Sequence, residues 1–262
     1  MLPINVIREH GESLENFLKL QTFPLGIKLL KKEKDIPKEA KRPKKDYGYR
    51  FITCQGFSES RRSGEIIAQT KDDMWCFEAA MGYGFIEPVD YFLEGNTRFP
   101  ESISTLEAGR FWAQHFPCLE YGKYSAIVSA PLAKINFEPD VVIIYCDSIQ
   151  LTQLLCARTW IDGYEFTSRM SGHAACVHSI LPVMQTGECQ VSFPCVGDRR
   201  RAWASNDEII FSTPLEKVEG LIQGLNCMKK YGAGLPLVPS LPHEPEMHPS
   251  YMKMAKITGM HE

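Results

Sequence analysis

The sequence predicts an α/β or α+β protein in which a mixed sheet is flanked by helices. Stretches rich in β-branched and aromatic residues alternate with amphipathic helical patterns along most of the 262 residues. Hydrophobic residues make up 44% of the chain, so a sizeable core can form without disulfides. We expect a single α/β domain over residues 1–232 and an extended tail rich in Pro, Met and His over residues 233–262, which wraps the body or dimerises. Whether the strands pair in parallel is left open by this pattern.

Prolines, glycines and charged runs separate the elements of the first half. Leucine spacing predicts a helix over 11–21, and an apolar run before a lysine-rich loop predicts a strand over 25–30. Aromatic and β-branched residues predict strands over 47–54 and 65–70. The other predicted elements here are a helical turn at 55–64, helices at 76–84 and 102–116, and a strand at 124–132.

The second half has the clearest local signals. The run DVVIIYC over 140–146 predicts a buried strand. Asp147 is a cap for the helix that follows, and Gly163 ends it. Further predicted elements are strands at 164–170, 189–195 and 208–214, a helix at 176–187 broken by Pro182, and a helix at 215–230.

A weak internal repeat relates residues 24–100 to residues 124–213. The order of elements is similar in both, and it pairs Cys54 with Cys156 and Cys76 with Cys176. Other identities are few, so duplication and a chance similarity are both open. A true repeat would form two pseudo-symmetric β-α-β-α halves, with Cys76 and Cys176 facing each other.

Charge and motifs exclude several classes of protein. The net charge of −3 gives no reason to expect nucleic acid as a partner. The first residues do not match a signal peptide, and no apolar run approaches the roughly 20 residues of a membrane-spanning helix. We therefore expect a cytoplasmic protein without membrane contact. Walker A, GxGxxG, HExxH and GxSxG motifs are absent from the sequence.

Nine cysteines are many for a cytoplasmic chain, where disulfides are rare. Four of them are predicted at strand ends or helix starts: Cys54, Cys76, Cys176 and Cys195. Four thiolates can hold a 4Fe-4S cluster, and the same four could hold zinc. Separate buried thiols are the alternative, because free cysteine is among the most buried residue types.

Two further groups of residues could carry chemistry. Gly197 and Arg199 follow Cys195, and Arg62 follows Cys54, so a carboxylate or phosphate could be gripped there; a charged turn is the alternative. Cys176 could also act as a nucleophile with His173 as its base, although a lone histidine is more often structural.

Six short motifs resemble a known family, and they are PLGIKLL, DDMWC, PDVVIIY, GHAAC, CVGDRR and DEIIFSTP. The sequence is similar over residues 15–230 to the family named domain of unknown function 169, found mainly in anaerobic bacteria and archaea. The resemblance implies a cytoplasmic protein without a settled reaction. It also implies that the four candidate cysteines and the glycine–arginine positions are family features, and that Cys118, Cys156 and Cys227 are core residues.

The leading expectation is a cytoplasmic iron–sulfur protein that acts in redox chemistry or within a reductive enzyme system, and so an oxidoreductase. Its partners would be a redox protein or a small anionic substrate, and a homodimer is open. One alternative is a metal-free module that binds a small anionic ligand. The other is a cysteine-thiol enzyme.

Overall fold

The computed structural model describes residues 2–165, 167–241 and 247–260. A six-stranded sheet lies at its centre, in the order β2-β3-β1-β4-β6-β5, and every neighbouring pair of these strands is antiparallel. The strands are β1 (Leu25–Leu30), β2 (Ile67–Thr70), β3 (Ala126–Pro131), β4 (Val141–Cys146), β5 (Gln190–Ser192) and β6 (Ile209–Thr213). A sheet with flanking helices is thus confirmed, with antiparallel pairing in place of the mixed pairing that we expected.

Most of the α-helices are short, whereas the three longest ones together cover one face of the sheet. They are α1 (Ile4–Leu18), α2 (Thr53–Ser58), α3 (Phe77–Gly82), α4 (Asp90–Leu93), α5 (Leu106–Gln114), α6 (Ser148–Asp162), α7 (Ala175–His178), α8 (Leu181–Thr186), α9 (Val196–Arg201), α10 (Val218–Lys230) and α11 (Pro249–Thr258). Asp147 caps α6 by accepting from the Gln150 N–H at 2.8 Å, and Gly163 ends it, as the sequence predicts.

Each face of the sheet carries its own hydrophobic core. On strand β4, Val142 and Ile144 pack on the face covered by α1, α6 and α10. Val141 and Ile143 point to the other face, where short helices and loops of residues 51–119 and 174–183 lie. Because both faces are covered, β4 reads as a continuous apolar run instead of an alternating one.

Glycines allow the long helices to approach their neighbours closely. A Cβ on Gly224 of α10 would lie 2.8 Å from the Ala157 carbonyl oxygen of α6. A Cβ on Gly11 of α1 would lie 2.5 Å from the backbone nitrogen of Ala133. Contacts this short require a residue without a side chain, so α1 and α10 hold the first face in place through backbone-to-backbone packing.

The strand order has the same pattern in its two halves. In β1–β3 the first strand is central, the third is next to it and the second is outermost; β4, β6 and β5 repeat this outward order. Strands β1 and β4 meet antiparallel at the middle of the sheet. A local two-fold axis normal to the sheet between β1 and β4 would therefore exchange the halves, and their boundary falls between Pro131 and Val141, after β3. The duplication itself stays a prediction.

The predicted strand over 47–54 is wrong. Phe51 forms only an isolated bridge with Met74, and the chain then turns into α2 at Thr53. The side-chain oxygen of Gln55 accepts the Ile52 N–H at 2.8 Å, which stabilises this helix start. Cys54 therefore lies in the first turn of a helix and not at a strand end.

Residues 164–165 and 167–170 form no strand, and Phe166 lies outside the described residues. The Ser168 hydroxyl accepts from the Val191 N–H and donates to the Val191 carbonyl, both at 2.8 Å. This side chain satisfies the open edge of β5, so no backbone strand is needed there.

The helical stretch over 176–187 is broken as predicted. It is divided into α7 and α8, with Pro182 in the first turn of α8. The tail expected to be extended contains the exposed helix α11, while residues 242–246 and 261–262 lie outside the described residues. None of the helices that the structure describes is long and apolar enough to span a membrane.

Candidate functional site

Four cysteines from distant parts of the chain line one cavity of about 360 Å³, the cysteine cavity. Each lies at the start of a short helix: Cys54 and Cys176 are the second residues of α2 and α7, and Cys76 and Cys195 directly precede α3 and α9. These are the four that the sequence analysis selected. All nine cysteines are free thiols.

The two halves of the sheet contribute two cysteines each. Cys54 and Cys176 come before the outermost strand of their half, and Cys76 and Cys195 come after it. This order pairs Cys54 with Cys176, whereas the sequence repeat pairs Cys54 with Cys156. Cys156, which we expected in the core, is instead exposed on α6 and does not line the cavity. The cavity is thus assembled where the two halves meet.

The thiols of Cys76 and Cys176 are in hydrogen-bond contact. This bond lowers the pKa of Cys76, and it is the main cause of the raised pKa of Cys176. Burial raises the pKa of Cys54 well above its ordinary value and that of Cys195 to about 11. In the metal-free protein at neutral pH, Cys76 is therefore the most acidic of the four thiols.

Fixed donors and one carboxyl group surround the sulfur atoms. The Ala175 N–H donates to the Cys195 sulfur, and the Ala79 N–H donates to the Cys76 sulfur. Asp198 is buried, and its Oδ2 accepts from Cys195 Sγ at 2.9 Å and from the Cys195 N–H at 3.1 Å. Burial raises the pKa of this Asp198 carboxyl. The backbone donors favour thiolate sulfur, so the cavity is prepared to hold charged thiolates if a cation shares it.

The arginines of the cavity are not the ones that we predicted. Arg98 and Arg201 line it, and Arg98 pairs with Glu78 at 2.5 Å. Sequence reasoning passed over Arg98 because it lies in a loop-rich stretch between two prolines, without a motif.

Of the predicted anion-binding residues, only Gly197 lines the cavity. Arg62 donates to the Trp203 carbonyl at 2.6 Å, and Arg199 donates to the Ser205 carbonyl. Both arginines thereby hold the loop after α9, and anion binding by Arg62 and Arg199 stays a prediction.

His173 lies at the edge of the cysteine cavity. Its ring packs edge-on against Trp112 with centroids 5.9 Å apart, and its backbone N–H donates to Ser171 Oγ at 3.2 Å. Burial, together with the charge of Arg98, lowers the pKa of His173. A neutral imidazole at this position can accept a proton, but its packing also explains it as a wall residue.

A cluster and a single metal ion need different arrangements of the four thiols. Among residues 2–165, 167–241 and 247–260, no three His, Cys, Asp or Glu side chains are arranged to hold one metal ion. Tetrahedral zinc needs its sulfur ligands about 2.3 Å from one point. A 4Fe-4S cluster places its four thiolates on four iron atoms, so its ligands surround a volume. Four thiols around a cavity supply the number of ligands that such a cluster takes, and the cluster itself stays a prediction.

Comparison with known proteins now gives the family. The DUF169 model, described as "Uncharacterised ArCR", matches residues 13–224. The chain belongs to this family. The uncharacterized protein MJ0308 of Methanocaldococcus jannaschii is similar, with 22% identity over 237 residues that cover 87% of this chain and 97% of that protein. No solved structure matches significantly. Membership places all four cysteines within the matched region and assigns no reaction.

The buried ring of His178 in this DUF169 protein gives a test by pH of the packing around α7, outside the cysteine cavity. It packs edge-on against Phe116 at 5.7 Å, and its buried Nε2 has no hydrogen-bond partner among the described residues. Burial is the main cause that lowers its pKa from 6.5 to about 4. As pH falls from about 6.5 to about 4, the unfolded chain takes up a proton that the folded chain does not, so stability present above pH 6.5 is lost.

We expect the free energy of unfolding to fall by about 2 kcal/mol more in the wild type than in His178→Gln between pH 7 and pH 4. Urea unfolding at several pH values measures this difference. His115→Gln, on the exposed surface, is the control and should follow the wild type. Parallel pH profiles for the wild type and His178→Gln would contradict the assignment.

Proposed function

We propose that this DUF169 protein is a cytoplasmic iron–sulfur protein that acts in redox chemistry. One observation carries the proposal: Cys54, Cys76, Cys176 and Cys195 line the same cavity although up to 141 residues separate them. Buried thiols that serve only as core residues have no reason to converge on one space. Four thiols are also the number that a 4Fe-4S cluster requires.

The surroundings of the thiols support this assignment. Four thiolates carry more negative charge than a buried site tolerates without compensation. Arg98 and Arg201 line the cavity together with three acidic side chains, and Arg98 is paired with Glu78, so the iron atoms of the cluster would supply most of the compensating charge. The backbone donors from Ala79 and Ala175 are already directed at Cys76 and Cys195. When bound, an iron–sulfur cluster takes up and releases single electrons at a potential that such hydrogen bonds help to set.

The protein's own residues would hold, tune and shield the thiolates. Cys54 and Cys176 are buried, which limits access of water from the core side. Trp75 and Phe77, on either side of Cys76, are exposed and leave that side accessible to a redox partner protein. Burial with few open sides lowers the polarity around the thiolates, which is one of the determinants of the potential. Formation of a homodimer stays a prediction.

Anaerobic purification followed by iron and sulfide analysis tests the proposal. We expect about four iron atoms and four sulfide ions per chain, with broad visible absorption that bleaches on reduction. One zinc atom per chain without sulfide would show that the four thiols form a structural zinc site instead of a cluster site. Iron and sulfide far below one per chain would overturn the proposal.

A cysteine-thiol enzyme is the second candidate, with Cys76 in place of Cys176. The observation that favours it is the hydrogen bond from Cys176, which lowers the pKa of Cys76. A metal-free preparation in which iodoacetamide labels Cys76 fastest at neutral pH would support this candidate. Uniformly slow labelling would contradict it.

A further inference from the structure

A second and larger cavity of about 680 Å³ lies beside the cysteine cavity. Its walls come from α5 and the residues after it, from the segment formed by Tyr164 and residues 167–171, and from α7, α8 and the start of β5. Ser168 fastens that segment to Val191 of the sheet edge. The cavity is thus built from well-anchored elements, and its volume is in the range of small-molecule sites.

The charge in this larger cavity is positive. Arg169 lines it, and no hydrogen bond or ion pair of its side chain is found within the described part of the chain. Glu188 also lines it, but this carboxylate pairs with Lys217 and lies 3.9 Å from Arg158. The negative charge is therefore compensated, and the guanidinium of Arg169 is left for a ligand.

Flat apolar surface lies close to this guanidinium. Trp112, Tyr164 and Met170 line the same cavity, and Tyr164 and Met170 are exposed. Aromatic rings of this kind stack on planar groups and shield them from water. A ligand with a flat apolar body and one anionic group would contact both the aromatic rings and Arg169.

The wall also holds an unpartnered polar atom. His178 lines the cavity, and its Nε2 is buried without a hydrogen-bond partner among the described residues. An orphaned buried nitrogen is costly unless a ligand or water satisfies it. An imidazole nitrogen can donate or accept one hydrogen bond, depending on its tautomer, so a polar atom of the ligand can satisfy it.

One contact between side chains connects the walls of the two cavities. Trp112 lines the larger cavity and His173 lines the cysteine cavity, and their rings are in contact at 5.9 Å. A molecule in the larger cavity would therefore lie one aromatic contact away from the four thiols. This is the relation expected between a substrate and a redox centre.

From these contacts we infer that the larger cavity binds a small organic carboxylate with a flat apolar body, held by Arg169 and stacked against Trp112 and Tyr164. Its role as the substrate site of the cysteine centre rests on the proposed function, whereas the binding itself does not.

Titration calorimetry with 2-naphthoate and its uncharged counterpart 2-naphthamide tests the inference. We expect the wild type to bind the carboxylate about tenfold more tightly than the amide, and Arg169→Gln to remove this preference. Arg110→Gln changes an exposed arginine of α5 that lines none of the described cavities, so it should bind like the wild type. Trp112→Leu should weaken both compounds.

Equal binding of acid and amide would overturn the assignment of Arg169, and absence of binding of 2-naphthoate by the wild type would overturn the whole inference. Iron analysis of the same wild-type preparation separates the two proposals. Binding of 2-naphthoate by a wild-type protein that holds no iron after anaerobic purification would leave the larger cavity assigned while the proposed function fails. A protein that holds the cluster but does not bind 2-naphthoate would leave the proposed function standing while the inference about the larger cavity fails.

Discussion

Serine in place of any one of the four cavity cysteines is expected to reduce iron in the anaerobically purified protein from about four atoms per chain to less than about one. The variants are Cys54→Ser, Cys76→Ser, Cys176→Ser and Cys195→Ser. Serine is close to cysteine in size, so the core around Cys176 should keep its packing. A hydroxyl is a poor ligand for iron, and a cluster that loses one of four thiolates is exposed to loss. Iron and sulfide analysis with visible spectroscopy measures the effect.

Matched controls come from cysteines outside the cavity. Cys118, Cys156 and Cys227 are half-buried or exposed, and none of them lines the cysteine cavity. Their serine variants should keep the iron and sulfide content of the wild type. If Cys118→Ser lost as much iron as Cys176→Ser, the cavity would not be the site. Circular dichroism of each variant separates loss of a ligand from loss of the fold.

The second large effect concerns stability. Arg61 is buried with 1% of its surface exposed, and its two terminal nitrogens pair with both carboxylate oxygens of Glu208 at 2.5 and 3.0 Å. Its guanidinium carbon also lies 3.9 Å from the ring centroid of Tyr145. We expect Arg61→Ala to lower the free energy of unfolding by about 3–5 kcal/mol, because it removes the bidentate partner of a carboxylate whose side chain is only 13% exposed. Urea unfolding at pH 7 measures it.

The neighbouring arginine is the control for this experiment. Arg62 keeps 33% of its side chain exposed and donates one hydrogen bond to the Trp203 carbonyl. Arg62→Ala should cost no more than about 1 kcal/mol. Similar losses for Arg61→Ala and Arg62→Ala would show that the buried pair with Glu208 contributes no more than an exposed hydrogen bond.

These two predictions are connected through the fold. The Tyr145 hydroxyl, on the residue that packs against Arg61, donates to Asp198 at 3.4 Å. Asp198 in turn accepts from the Cys195 thiol. The buried ion pair thereby supports the position of one candidate ligand.

Local signals predicted a large part of the fold. The apolar run of β4 and the cap and stop of α6 at Asp147 and Gly163 were found from sequence, because burial of a central strand and capping of a helix depend on neighbouring residues. The strands predicted over 47–54 and 164–170 were wrong, because β-propensity does not show whether a partner strand exists. In the folded chain, the Ser168 hydroxyl forms hydrogen bonds with the backbone of Val191 at the sheet edge.

The candidate site, like the fold, was predicted from the sequence only in part. Predicted positions at strand ends or helix starts selected Cys54, Cys76, Cys176 and Cys195 from nine cysteines, and the structure places all four at helix starts. Convergence of the four on one cavity was decided by strand order and by the meeting of two halves, which no local pattern contains. Arg98 and Arg169 were missed for the same reason: an arginine in a loop becomes a ligand-binding residue only when the tertiary structure brings it to a cavity. The sequence by itself therefore determined which four thiols stand at the ends of secondary-structure elements. The tertiary structure decided that they share one cavity, because only long-range packing sets the distances between them.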